Sequence, residues 1–266
     1  MTDLPAPDIS VPARLGLGAR LEGDELVLEL RPTAESTVHG AVRCSVISFV
    51  VDAAAGIPFD DDPDVWMLTT DMSVRMQPVA ASGRLDARTT LMRRGGRSVT
   101  SIVDVTTESG SLVAMGAAGF AKVRRRPDDP VKPLVTPADA VNLFRHSPPL
   151  TRPLREEADI EVIDAAAGVV QVVVTPQLQN PAGTLQGAMV ALVAEVATEE
   201  LTGARSDRPM VVTDIDLRYL ARVSAGPVRT RARLLGDGPD APVEVVLFDT
   251  SDDRITTLAY TRAVAV

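Results

Sequence analysis

A single cysteine, Cys44, occurs in the 266 residues, which excludes an intrachain disulfide and any multi-cysteine metal site. It sits in an apolar run and reads as a packed thiol rather than a nucleophile. Histidines number two, His39 and His146. They lie far apart with no ligand cluster near either, so no metal is expected, and His146 is given no role. Aromatic residues make up only 3% of the chain and the net charge is -9. No basic stripe alternates with stacking rings, which argues against nucleic-acid binding. The clusters Arg93-Arg94-Arg97 and Arg124-Arg125-Arg126 read as solvated surface charge. A run of roughly 18 apolar residues is also missing, the best stretch being broken by Gln186 and Glu195, so no membrane helix is expected. The N-terminus, MTDLPAPDISVPARLG, has acids and prolines where a secretion signal has basic and then apolar residues. A cytoplasmic protein is the expectation.

What is present is an ordinary globular composition, 45% hydrophobic and 24% charged, with enough chain for two small domains. A flexible tail is expected over residues 1–12 and a first unit over 13–123. Within that unit, Leu26, Leu28 and Leu30 alternate as in a half-buried strand. An apolar segment opening at His39-Gly40-Ala41 and running to Ala55 reads as a helix. Four extended segments follow, 65–78, 83–94, 98–108 and 111–123, separated by Ser82-Gly83, Gly95-Gly96 and Ser109-Gly110. Short turns between consecutive strands give an antiparallel meander. Residues 124–150 form a proline-rich linker, in which Thr136-Pro137-Ala138-Asp139 signals a short helix. The second unit, 151–266, repeats the plan: strands near 160–163 and 169–175, a helix opening at Gln186-Gly187-Ala188, and strands at 210–220, 226–235, 243–249 and 254–264. Thr70 to Arg75 aligns with Thr213 to Arg218 at an offset of 143, and His39-Gly40 with Gln186-Gly187 at 147. A duplication with one four-residue gap explains both.

The second helix is apolar on every face from Ala188 to Ala194 before Glu195 appears. A helix of that kind lies inside a protein, and an ionised carboxylate there needs a partner, a shifted pKa or a chemical task. One antiparallel sheet around one long buried helix, twice over, resembles the hotdog fold, which makes the expected class α+β: a tandem, double hotdog with two curled sheets. The loop and helix start resemble the PaaI-like branch of the acyl-CoA thioesterase superfamily. That pattern has Asn or Gln, then His-Gly-Gly six residues on, then an acid nine residues after the His. Asn180, Gln186-Gly187 and Glu195 keep the spacing, with Gln for His and Ala188 for the second Gly. The first half offers Thr33, His39-Gly40 and Ser48, again with alanine, Ala41, for the second glycine.

In this superfamily a site combines the helix start of one unit with the carboxylate of the other. The resemblance therefore implies one complete site, His39 and Gly40 with Glu195, and a pseudo-site, Asn180, Gln186 and Gly187 with Ser48. Physically, a helix N-terminus such as Gly40 can hold a developing oxyanion, and Glu195 can act as general base or nucleophile. Glu199, one turn further on the same face, can raise its pKa. Asp52, the match to Glu199 in the gapped alignment, is a tempting substitute acid for the pseudo-site, but it lies about 6 Å along the helix from Ser48, too far for a simple swap. Thr70-Asp71 and Thr213-Asp214 can border a pantetheine channel. Arg75 and Arg218 can draw in an anionic tail or form strand salt bridges. The implied activity is hydrolysis of a fatty or aryl acyl-CoA, with CoA as part of the substrate and no separate cofactor. Association of the pseudo-dimers into a homo-oligomer is a further implication. The rivals are a non-catalytic acyl-CoA or lipid-binding module and, behind it, a hotdog hydratase or dehydratase.

Overall fold

The computed structural model describes residues 10–143 and 147–266. Residues 1–9 of the expected tail, and His146, lie outside that part. The rest of the tail is held down: Val11 and Pro12 are buried in a short turn over Val11–Arg14.

The first half contains β1 (Leu17–Glu22), β2 (Glu25–Leu30), a small hairpin of β3 (Thr37–Val38) and β4 (Ala41–Val42), and helix α1 (Cys44–Gly56). It continues with β5 (Val65–Met76), β6 (Leu85–Arg94), β7 (Ser98–Thr107) and β8 (Leu112–Arg124). After α2 (Pro137–Leu143) and α3 (Leu154–Glu157) come β9 (Glu161–Asp164), β10 (Val169–Val172) and α4 (Gly187–Gly203). The last strands are β11 (Met210–Tyr219), β12 (Val228–Leu234), β13 (Val243–Asp249) and β14 (Arg254–Ala265).

In place of two separate sheets, twelve strands form one antiparallel sheet in the order β1-β2-β6-β7-β8-β5-β11-β14-β13-β12-β10-β9. The order reads the same from either edge: two outer strands, a three-strand meander, then the strand that meets its counterpart. The halves join at β5 and β11, where Arg75 lies opposite Asp214 and Asp71 opposite Arg218. Arg75 bridges Asp214 at 3.0 Å and Asp216 at 2.5 Å across this seam, so its charge is satisfied within the sheet.

Helix α1 is rich in β-branched residues, which are mediocre helix formers. Burial decides: Val46, Ile47, Val50 and Val51 are all buried against the strands. Close approach to the sheet depends on Gly116 in β8, where an added Cβ would come within 2.6 Å of the Val51 methyls. Helix α4 has better intrinsic propensity from its alanines, leucines and glutamates. It packs on β11 to β14 and against α1. One hydrophobic core runs through both halves. The linker joins it, with Ala140 and Leu150 buried and the Lys132 ammonium pinned to Asp60 at 2.5 Å. Among the described residues no helix is long and apolar enough to cross a membrane.

The helix start expected at His39-Gly40 is corrected. His39 has φ 49° and Gly40 φ 81°, the pair of left-handed residues that a two-residue hairpin turn requires, and they join β3 to β4. Helix α1 begins at Cys44, with Arg43 at its N-cap. Cys44 lies 143 positions before Gly187, the same offset as the strands, so the four-residue gap disappears. In the ungapped alignment Arg43 matches Gln186, and Asp52 matches Glu195.

Candidate functional site

Each long helix places one carboxylate eight residues beyond its own first residue, and each carboxylate faces the start of the other helix. That reciprocity requires α1 and α4 to run antiparallel. It creates two related places separated by about 12 Å of helix.

At the first place, Glu195 is fully buried. Its Oε1 accepts from the Cys44 N–H at 2.7 Å, and its Oε2 from the Ser45 hydroxyl at 2.5 Å and the Ser45 N–H at 3.4 Å. The carboxylate thus caps α1 from outside, where unpaired N–H groups and the positive end of the helix dipole favour an anion. The Arg43 guanidinium lies 3.5 Å from Glu195 and 3.0 Å from Glu199, and is itself buried. Burial pushes the Glu199 carboxyl up to about 7; Arg43 opposes the rise and the neighbouring Glu195 adds to it. Burial also holds the Cys44 thiol well above its ordinary value. Neither His39 nor Gly40 reaches this carboxylate, because both lie exposed in their hairpin turn. Ser48 is buried and donates to the Cys44 carbonyl at 2.9 Å within its own helix.

At the second place, the Asp52 side chain lies against the start of α4. Thr69 of β5 donates its hydroxyl to Oδ1 at 2.8 Å, and Gln186 reaches Oδ2 through Nε2 at 3.5 Å. Gln186 is held for that contact, since its Oε1 caps α4 by accepting from the Ala188 and Met189 N–H groups at 2.6 and 3.3 Å. The Gly187 N–H has no acceptor among the described residues. A Cβ there would sit 3.2 Å from the Tyr219 hydroxyl, a tight contact, and 3.8 Å from Asp52 Oδ2, an ordinary one. Tyr219 donates to the Gly187 carbonyl at 3.0 Å. The preceding loop is folded on Asn180, whose Oδ1 accepts from the Ala182 and Thr184 N–H groups. Burial pushes the Asp52 carboxyl up to about 6, with the Thr69 hydrogen bond pulling it down.

This place opens on a cavity of about 520 Å3, whose wall includes Asp52, Asn180, Gln186 and Gly187 and the rings of Phe49, Trp66 and Phe120. It joins a carboxylate that is ionised above about pH 6, a free N–H at a helix start and an apolar recess. A base beside a preorganised donor suits addition of water to a carbonyl. Arg43, Ser45, Thr69 and Tyr219 are participants that the sequence reading did not name. The first and third had a signal: the strand offset of 143, applied to the helices, sets Arg43 opposite Gln186, and Thr69 adjoins the repeated Thr70-Asp71. Among the described residues no group of three or more His, Cys, Asp or Glu side chains could hold a metal ion.

No family model matches the chain, and no curated protein matches its sequence. Solved structures do share its fold. The tesB protein of Mycobacterium avium subspecies paratuberculosis superposes with a TM-score of 0.62 at 10% identity, covering 96% of this chain and 98% of that one. An acyl-ACP thioesterase from Bacteroides thetaiotaomicron gives 0.60 at 8% identity, covering 95% and 99%. A conserved protein of unknown function with a hot dog fold from Alicyclobacillus acidocaldarius gives 0.57 at 12%, covering 96% and 97%. The chain is thus an α+β protein that shares the hotdog fold of these structures.

Proposed function

We propose that the chain is an acyl thioester hydrolase built from two tandem hotdog units by internal duplication, with one working site at the interface of the halves. The observation that carries this reading is the Asp52 carboxylate facing the free Gly187 N–H at the edge of an apolar cavity. The nine-residue interval of the PaaI-like pattern supports the duplication, since it occurs from Gln186 to Glu195 and again from Arg43 to Asp52. The site is composite, as the resemblance implies, but the acid is assigned to Asp52 and the helix start to Gln186-Gly187. Glu195 and Glu199 are assigned a structural role with Arg43.

In the proposed reaction Asp52 takes a proton from water as the water oxygen bonds to the thioester carbonyl carbon. Gly187 N–H donates to the developing oxyanion, and Gln186 Nε2 orients the water. Collapse breaks the C–S bond, and the proton on Asp52 passes to the departing thiolate, giving acid and thiol. Thr69 fixes the carboxylate so that one oxygen faces the water. Acyl-CoA and acyl carrier thioesters are the substrate class that the names of the structural neighbours suggest. A hydratase would need a histidine facing the acid, and among the described residues the cavity wall contains none.

CoA release from a panel of acyl-CoAs, compared between wild type and Asp52→Asn, tests the reading. Turnover lost in the variant supports it. Undiminished turnover sinks the assignment, and tight acyl-CoA binding without turnover in wild type identifies a binding module instead. Single turnover in ¹⁸O-water separates the two roles for the acid: label in the product acid fits a base, whereas label retained on Asp52 identifies a mixed anhydride.

A further inference from the structure

Two cavities meet at the Asp52 site. Beside the first lies a second of about 330 Å3, and Leu68, Thr69, Asn180 and Gly187 border both. A thioester carbonyl held at the Gly187 N–H therefore has one cavity for each of its substituents.

Charge and ring content distinguish the two. In a chain with 3% aromatic residues, Phe49, Trp66 and Phe120 converge on the first cavity. Its charged residues are Asp52, Asp60 and Lys132. The Lys132 ammonium is consumed by Asp60 at 2.5 Å and by the carbonyls of Asp62 and Val65 at 2.8 and 2.6 Å. Among the described residues, an anion entering there meets carboxylates and no free cation. In the second cavity Arg222 is the one charged residue of the wall among the described residues. It is exposed, and its guanidinium has no acidic partner among the described residues. Thr184, Thr256 and Thr257 stand in the same wall and suit the amides of a polar arm.

We propose that the second cavity receives the phosphate-bearing pantetheine arm of the substrate, with Arg222 pairing with the phosphate, and that the acyl group occupies the aromatic first cavity. This assignment rests on the hydrolase reading above. A guanidinium matches a phosphate in geometry as well as charge.

The test compares one acyl group presented as its CoA thioester and as its N-acetylcysteamine thioester, which lacks phosphate, using the full-length wild type, Arg222→Ala and Arg222→Lys. Arg222→Ala is expected to raise KM for the CoA thioester about tenfold while leaving kcat, and both constants for the short thioester, unchanged. Arg222→Lys recovers part of the loss, and added salt weakens the wild-type preference for CoA. Equal KM changes for both thioesters, or none for either, overturn the assignment of the arms while the hydrolase reading stands. Failure of wild type to hydrolyse either thioester removes the hydrolase reading, and the assignment falls with it.

Discussion

The two ends of the antiparallel helix pair carry the same parts and put them to opposite uses. At each end an acid on one helix meets the first residues of the other. Around Glu195 the N-cap position holds Arg43, a long cation that pairs with two buried carboxylates and fills the space. Around Asp52 the same position holds Gln186, a neutral side chain that turns back to cap its own helix. A cavity remains beside it. The neighbouring strand residue differs as well: Thr69 supplies a hydroxyl to Asp52, and its counterpart 143 positions on is Val212. A cationic N-cap marks the sealed ionic cluster, and a neutral N-cap with a strand hydroxyl marks the end whose acid borders a cavity.

The sharpest way to break this contrast is to neutralise each acid in turn. Asp52→Asn should lower kcat by about two to four orders of magnitude, with thermal unfolding little changed. Next in size, Arg43→Ala should destabilise the fold by about 3–5 kcal/mol, because it leaves Glu195 and Glu199 buried without their cation. Chemical denaturation measures that loss, and an unchanged midpoint would show that the cluster is not the fold's ionic anchor.

A finer test uses pH. Asp52 must be ionised to act as a base, so kcat/KM should fall as pH drops below about 6, the value to which burial raises this acid. Thr69→Val removes the hydroxyl that stabilises the ionised form, so the acid limb of the profile should move to higher pH. No movement would separate Thr69 from the acid. The smallest expected effect lies in the sealed cluster. The folded pKa of Glu199, about 7, stands above its ordinary 4.5, so its contribution to stability is fully present below about pH 4.5 and is lost as pH rises through about 7. Glu199→Gln should flatten the decline of Tm across that window, whereas an unaltered slope would place the proton elsewhere.

Much of this was legible in the chain. The strands of both meanders end within a few residues of where alternation and glycine-marked turns put them, because those signals are local. The buried course of α4 was equally plain from a run of apolar residues with no polar face. The start of α1 was not. His39-Gly40 imitates a helix opening in a family pattern, yet left-handed backbone at both residues makes it a hairpin turn, and β-branched α1 has little local preference to contradict the misreading. That error of four residues moved Asp52 out of register and set His39-Gly40, in place of Cys44 and Ser45, opposite Glu195. The arginines at the seam show the same limit, since the chain leaves Arg75 open between an anionic tail and a strand salt bridge until β11 brings Asp214 and Asp216 beside it.

By itself the sequence determined the strand and helix periods, the likeness of Thr70–Arg75 to Thr213–Arg218 and the presence of an acid on each buried helix. All of these follow from spacing along one segment. Only the tertiary structure decided which acid meets which helix start, that Arg43 seals one end, and that Gln186, Thr69 and a cavity frame the other. The pairings of Arg43 with Glu199 and of Gln186 with Asp52 join residues more than 130 positions apart in sequence, and no local pattern encodes the distance across a core.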